Sequence, residues 1–222
     1  MTALMVRIAA ASLVSILCLC GCTILAPQVD ESHFFMLAPL PRAVGLRDAP
    51  ASDALPSTIV GLGPITLPPY LDRDELVIRL TPTQVTYSPI ERWAEPLNVN
   101  VARVLLQNLS LLLEADHFVI YPWPNTSNVQ YQIEVEFVRF DMMKSGDTEL
   151  DARYAILQAG IRAPLVIRKA SFSRPGAADA SAAATAMSAV LSDLSQDIAA
   201  ATRALLPPQV APQAAPRDPD RR

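Results

Sequence analysis

An alternating stretch in the second half of the chain constrains the fold more than any other feature. Every second residue from Val129 to Phe137 is apolar, and each residue between them is a glutamine or a glutamate. Successive side chains of a strand point to opposite faces, so this pattern predicts a strand with one buried and one polar face. The alternation slips at Val138, and Phe140 is the expected site of a bulge. Alternation resumes after a turn at 144–147, and an apolar segment extends to Phe172, so 129–172 is predicted to be an antiparallel meander.

Two other segments have the periodicity of amphipathic helices. In the first, apolar residues recur every three or four positions from Leu97 to Leu112, after a proline that suits a first helical turn. The second runs from Ala178 to Leu205 and ends before two prolines. Short apolar runs bounded by proline or glycine predict further strands near 33–37, 58–63, 76–80, 85–87 and 118–121. Together they predict an α/β fold, a single domain with a mixed, largely antiparallel sheet of about five strands flanked by helices.

The N-terminus has the layout of a bacterial secretory signal. A short start containing Arg7 precedes the apolar run Ile8–Leu19, which is shorter than the ~20 residues that a membrane-spanning helix needs. The run ends in Leu19-Cys20-Gly21-Cys22, which resembles the lipobox of bacterial lipoproteins. The alternatives are a plain secreted protein in which this cysteine occurs by chance, or an uncleaved anchor.

The lipobox resemblance assigns a chemical role to Cys22. It implies that a peptidase recognises Leu19 and Gly21 and cuts before Cys22, whose sulfur carries diacylglycerol and whose new amino group carries an acyl chain. Several chains hold a protein stably because one alone gives only marginal membrane binding. The other cysteines leave with the signal, so no disulfide and no thiol catalysis are expected.

The segments beyond the signal define the domain organisation. We predict a signal peptide at 1–21, a lipidated tether at 22–32, one domain at 33–206 and a disordered tail at 207–222, which is rich in proline and lacks apolar periodicity. Removing the signal takes away Arg7 and no acidic residue, so the mature chain is one charge more negative than the −4 of the whole sequence. An acidic chain without a basic cluster is a poor candidate for nucleic-acid binding.

No residue pattern in the chain favours catalysis. The only histidines, His33 and His117, lie far apart beside apolar segments, and no group of residues has the spacing of zinc ligands. The glycines of Gly61-x-Gly63 are too few for a phosphate-binding loop. The acidic residues at 72–75 are interleaved with Arg73, which is typical of a solvated turn. We therefore expect neither an enzyme nor a bound cofactor or metal.

Six segments in the same order resemble one protein family. They are Val60-Gly61-Leu62-Gly63-Pro64-Ile65, Leu67-Pro68-Pro69-Tyr70-Leu71-Asp72-Arg73, Leu76-Val77-Ile78-Arg79, Trp93-Ala94-Glu95-Pro96-Leu97, Tyr121-Pro122-Trp123 and Leu150-Asp151-Ala152-Arg153-Tyr154. With the lipobox, they resemble the ABC-type transport auxiliary lipoproteins, the PqiC-like family, over roughly residues 20–205. One departure is Asp74, where many members have an uncharged residue.

The family resemblance implies a fold, a partner and a cellular location. It implies a fold similar to the amino-terminal domain of TolB, and a role in lipid traffic between the two membranes of a Gram-negative envelope. The partner it implies is a periplasmic substrate-binding protein with mammalian cell entry (MCE) domains, and a homo-oligomeric ring is compatible with it. Thr23 stands where an aspartate would retain an enterobacterial lipoprotein at the inner membrane, which favours the periplasmic face of the outer membrane.

A proline-stiffened segment is the predicted partner surface. Pro68 and Pro69 force an extended path, and a pre-ordered segment makes contacts at a low cost in entropy. We expect the surface to comprise Tyr70, Leu71, Asp72, Arg73 and Trp93. The alternative is that Tyr70 and Leu71 merely cover the core edge. The competing functions are a structural lipoprotein that binds another complex and an anchored hydrolase.

Overall fold

The computed structural model describes residues 30–42, 58–114, 118–124, 127–161, 163–176 and 179–205. The lipobox, most of the predicted tether, His117 and the predicted tail lie outside these ranges.

Within the described ranges the chain forms eight strands and two helices. In chain order they are β1 (His33–Phe35), β2 (Val60–Thr66), β3 (Glu75–Thr81), β4 (Gln84–Trp93), α1 (Leu97–Leu113), β5 (Phe118–Ile120), β6 (Tyr131–Met143), β7 (Thr148–Gln158), β8 (Val166–Arg174) and α2 (Ala180–Leu205). A single 3-10 turn, Pro69–Leu71, precedes β3. None of the helices in these ranges has the length and apolar character needed to cross a membrane.

Strand β6 is the centre of the sheet. One of its edges pairs antiparallel with β7, which pairs antiparallel with β8, so the predicted meander is confirmed. Its register with β7 shifts between Phe137 and Arg139, where the alternation slips, and not at Phe140, the expected site of the bulge. The other edge of β6 pairs in parallel with β2 and, near its end, with β3. Strand β4 joins β3 antiparallel, β1 joins β4 in parallel, and β5 joins β2 in parallel.

The predicted mixed α/β class is confirmed, and the sheet is larger than about five strands. Among the described residues it has eight, because all five short apolar runs, including β1 and β5, pair into the same sheet as the three strands of the meander. The parallel pairs arise because segments distant in sequence meet, and hairpin patterns in a sequence cannot indicate such pairs.

Both helices lie on the face of the sheet that carries the buried alternate residues of β6 and β7, including Ile133 and Tyr154. The opposite face carries the polar residues of β6. Buried asparagines on α1 bind the chain that follows β1. Asn100 accepts the N–H of Leu37 and Asn108 accepts the N–H of Leu40, each at 2.7 Å. Asn108 also donates to Ser195 of α2 at 3.0 Å, so the two helices and this segment share one polar seam.

Candidate partner-binding surface

The predicted partner residues occupy one corner of the domain, but they differ in exposure. The turn at 69–74 carries four of them, and the N–H of Trp93 donates to the carbonyl of Asp74 at 2.6 Å, which brings Trp93 beside that turn. Leu71 and Trp93 are core residues, 3% and 5% exposed. Asp72 and Arg73 are exposed, and Tyr70 is half-buried. The turn therefore offers a partner mainly the side chains of Asp72 and Arg73.

The hydroxyl of Tyr70 is engaged inside the domain. It donates to Oδ1 of Asp141 at 2.7 Å, while the guanidinium of Arg79 pairs with Oδ2 of the same carboxylate. Arg79 also lies 5.4 Å from the centre of the Tyr70 ring. Burial, with the adjacent Asp141 carboxylate, raises the pKa of Tyr70 to about 12. These three residues, the Asp141 cluster, fix the proline-stiffened turn to the last residues of β6.

Arg73 forms the exposed part of the same corner. Its guanidinium lies 4.0 Å from the centre of the Tyr87 ring and its Nε lies 3.3 Å from Glu75. A cation held over an aromatic ring at an exposed site contributes ~0.5–1 kcal/mol, so this arrangement orders the side chain without burying it.

A second surface, which the sequence did not indicate, is an apolar groove between α1 and the strands β2 and β5. We call it the β5 groove. It has a volume of about 530 Å³. Its lining comprises Leu62, Gly63, Pro64, Ile65, Asn98, Val99, Ala102, Arg103, Ile120 and Tyr121. Val99, Ile120 and Tyr121 are 50%, 39% and 52% exposed, so apolar side chains meet solvent here.

Two glycines of β2 make room for the aromatic residues beside the groove. A Cβ on Gly61 would lie 2.6 Å from the ring of Trp123, and one on Gly63 would lie 2.8 Å from the Cβ of Tyr121. The rings of Tyr121 and Trp123 meet edge to face with centres 5.5 Å apart. The Gly61-x-Gly63 pair thus accommodates aromatic side chains, and two of the family-like segments, 60–65 and 121–123, contact each other.

The one charged residue that lines the groove is neutralised. Arg103 forms an ion pair with Glu95, which also accepts a hydrogen bond from Asn100. The hydrogen bond from Arg103 lowers the pKa of the Glu95 carboxyl. The groove is therefore apolar, and the charge of Arg103 is balanced by Glu95, so the groove suits an uncharged ligand surface. Among the described residues, no group of three or more histidine, cysteine, aspartate or glutamate side chains could hold a metal ion.

The backbone of Gly63 provides a test of this geometry. Gly63 has φ +119° and Gly160 has φ +80°, but a Cβ on Gly160 would meet nothing within 4 Å. We expect Gly63→Ala to destabilise the fold by more than Gly160→Ala, since strain of about 1–3 kcal/mol is common to both and only Gly63 adds a collision with Tyr121. Urea unfolding, followed by tryptophan fluorescence, measures both. Equal losses would show that Tyr121 moves aside freely.

Solved structures with this mixed α/β architecture include two close matches in fold. Protein XCC0632 from Xanthomonas campestris, of family DUF330, is 13% identical with a TM-score of 0.64, over 78% of this chain and 95% of that one. An uncharacterised protein of known structure is 17% identical with a TM-score of 0.61, over 77% of this chain and 98% of its own. At these identities the likeness shows the fold.

Residues 41–199 match the model of the family described as the ABC-type transport auxiliary lipoprotein component. The chain belongs to this family, as its six family-like segments predicted. The family is an auxiliary component of transport systems rather than a family of enzymes. No curated protein matches the chain in sequence.

Proposed function

We propose that this protein is an outer-membrane-anchored lipoprotein of an MCE-type ABC lipid transport system, in which it docks the periplasmic substrate-binding protein and so supports lipid transport between the membranes. Family membership over residues 41–199 is the observation that carries the proposal. The Leu19-Cys20-Gly21-Cys22 motif supports it by supplying an acylation site ahead of the domain. Thr23, in place of an aspartate, supports an outer-membrane location.

The mechanism is one of position. Acyl chains on Cys22 hold the domain at a membrane surface, and the tether at 23–32 spans at most ~35 Å when fully extended. Because the tether confines the domain to a thin layer beside the membrane, its effective concentration is raised at any partner that reaches the same membrane. A partner contact that is weak in solution therefore suffices for docking.

The surfaces of the domain fit a docking role better than a chemical one. The predicted turn presents Asp72 and an ordered Arg73, and the β5 groove exposes apolar side chains without an unpaired charge. A structural lipoprotein that binds a different envelope complex would use similar surfaces, so the identity of the partner separates the two functions.

Co-purification tests the proposal. The acylated full-length protein, carrying a C-terminal tag, is expressed in its own host and extracted in mild detergent. We expect an MCE-domain protein to be recovered in a stable ratio, and to be absent when an unrelated outer-membrane lipoprotein carries the same tag. Recovery of a different envelope complex, with no MCE-domain protein, would contradict the transport assignment.

A further inference from the structure

Among the residues that the structure describes, none pairs with one backbone edge of strand β5, which lies beside the β5 groove. In the described part of the chain it pairs with β2 on one side only. The N–H of Tyr121 donates to the carbonyl of Leu62 in β2 at 2.9 Å. Neighbouring residues of a strand direct their N–H and C=O groups to opposite sides, so those of Ile120 point to the open edge.

Ile120 belongs both to this open edge and to the lining of the groove. The side chain of Ile120 lines the groove, and Val99 and Ala102 of α1 form its opposite wall. A strand laid beside β5 would place every second side chain on the face where α1 lies. The backbone edge and the apolar wall are thus arranged for one and the same extended segment.

Strand β8, at another edge of the sheet, lacks this arrangement. It has nine residues, and three of them, Arg168, Lys169 and Arg174, are basic. Charged side chains are a common means of keeping an edge strand from pairing with another chain. The short β5 carries no charge, and its neighbour Arg103 is already paired with Glu95.

We propose that the β5 groove binds an extended, uncharged apolar segment of the substrate-binding protein, which pairs as a strand with Ile120 and places an apolar side chain against Val99. The identity of this partner rests on the proposed function. Strand addition of this kind draws affinity from main-chain hydrogen bonds and specificity from pockets for alternate side chains. Because β5 has only three residues, the contact is small, and membrane anchoring supplies the local concentration it needs.

Two matched variants test the groove. Val99→Asp puts a charge in it at an exposed position in the first turn of α1, where an acidic residue is tolerated by the helix. Ile167→Asp makes the same kind of change on β8, where the side chain is 63% exposed. In co-purification of the acylated full-length protein, we expect Val99→Asp to lower recovery of the MCE-domain protein by about tenfold or more, and Ile167→Asp to leave it unchanged.

The outcomes separate the two proposals. If the unaltered protein recovers no MCE-domain protein, the proposed function fails. If the unaltered protein does recover the MCE-domain protein and Val99→Asp recovers as much of it, the inference about the groove fails. Circular dichroism of each variant shows that the fold is intact, and Ala102→Asp serves in place of Val99→Asp if that variant is unfolded.

Amide hydrogen exchange tests the strand pairing itself. Adding the purified MCE-domain protein should slow exchange at Ile120 and leave 166–174 unchanged. If Val99→Asp loses binding but the partner does not slow exchange at Ile120 of the unaltered protein, the strand pairing is overturned. Protection in the free protein that disappears on deletion of 207–222 would assign the groove to the chain's own tail. Protection that rises with protein concentration would assign it to a second copy, and both results would overturn the proposal.

Discussion

Replacing Asp141 with alanine is expected to destabilise the domain by about 3 kcal/mol, because breaking a buried ion pair leaves an uncompensated charge. The Asp141 side chain is fully buried and that of Arg79 is only 16% exposed. The substitution also removes the acceptor of the Tyr70 hydroxyl. Arg79 keeps a hydrogen bond to the carbonyl of Pro82 at 3.2 Å, which places the expected loss at the lower end of the range for such pairs.

Urea unfolding of three variants measures this effect. Tyr70→Phe removes one hydrogen bond and should cost about 1 kcal/mol. Asp151→Ala breaks a partly exposed pair with Arg139, whose side chains are 35% and 37% exposed, and should cost at most about 1 kcal/mol. A loss for Asp141→Ala no larger than that for Asp151→Ala would mean that water reaches Arg79 and that the cluster does not fix the turn.

Replacing Cys22 with serine is expected to abolish acylation, since a hydroxyl cannot take the place of the sulfur nucleophile that accepts diacylglycerol. The precursor should keep residues 1–21, migrate as the larger species and leave the outer-membrane fraction. Incorporation of labelled palmitate, read together with electrophoretic mobility, measures both steps.

Cys20→Ser is the matched control for that experiment. It makes the same chemical change two residues earlier in the motif, within the predicted signal peptide. Processing and labelling should continue in this variant. Normal maturation and outer-membrane fractionation of Cys22→Ser would overturn the lipoprotein assignment and, with it, the positional mechanism.

Local patterns in the sequence were enough to predict the meander and both helices. The alternation from Val129 gives β6, and the three- and four-residue spacing after Pro96 gives α1, which ends one residue beyond the predicted Leu112. The register slip at Val138 was also visible locally. These features depend on neighbouring residues, so periodicity is sufficient to find them.

The contacts that define the two surfaces depend on residues far apart in the chain. Asp141 binds Tyr70 across 71 positions, and nothing local to the proline-stiffened turn indicates that partner. The glycines of β2 and the aromatics after β5 are separated in a similar way. One local signal for the groove did exist: Val99 is apolar but lies off the buried face formed by Leu97, Val101 and Val104.

The polar seam formed by Asn100 and Asn108 of α1 has a mechanical consequence for an anchored protein. Tension on the N-terminal tether enters the domain at β1, whose pairing with β4 covers only three residues. Just beyond it, the N–H groups of Leu37 and Leu40 are held by α1, and that of Ala38 by Ser188 of α2 at 3.0 Å. If Cys22 is acylated as proposed, a pull on the anchor would load hydrogen bonds to both helices as well as the three-residue pairing of β1.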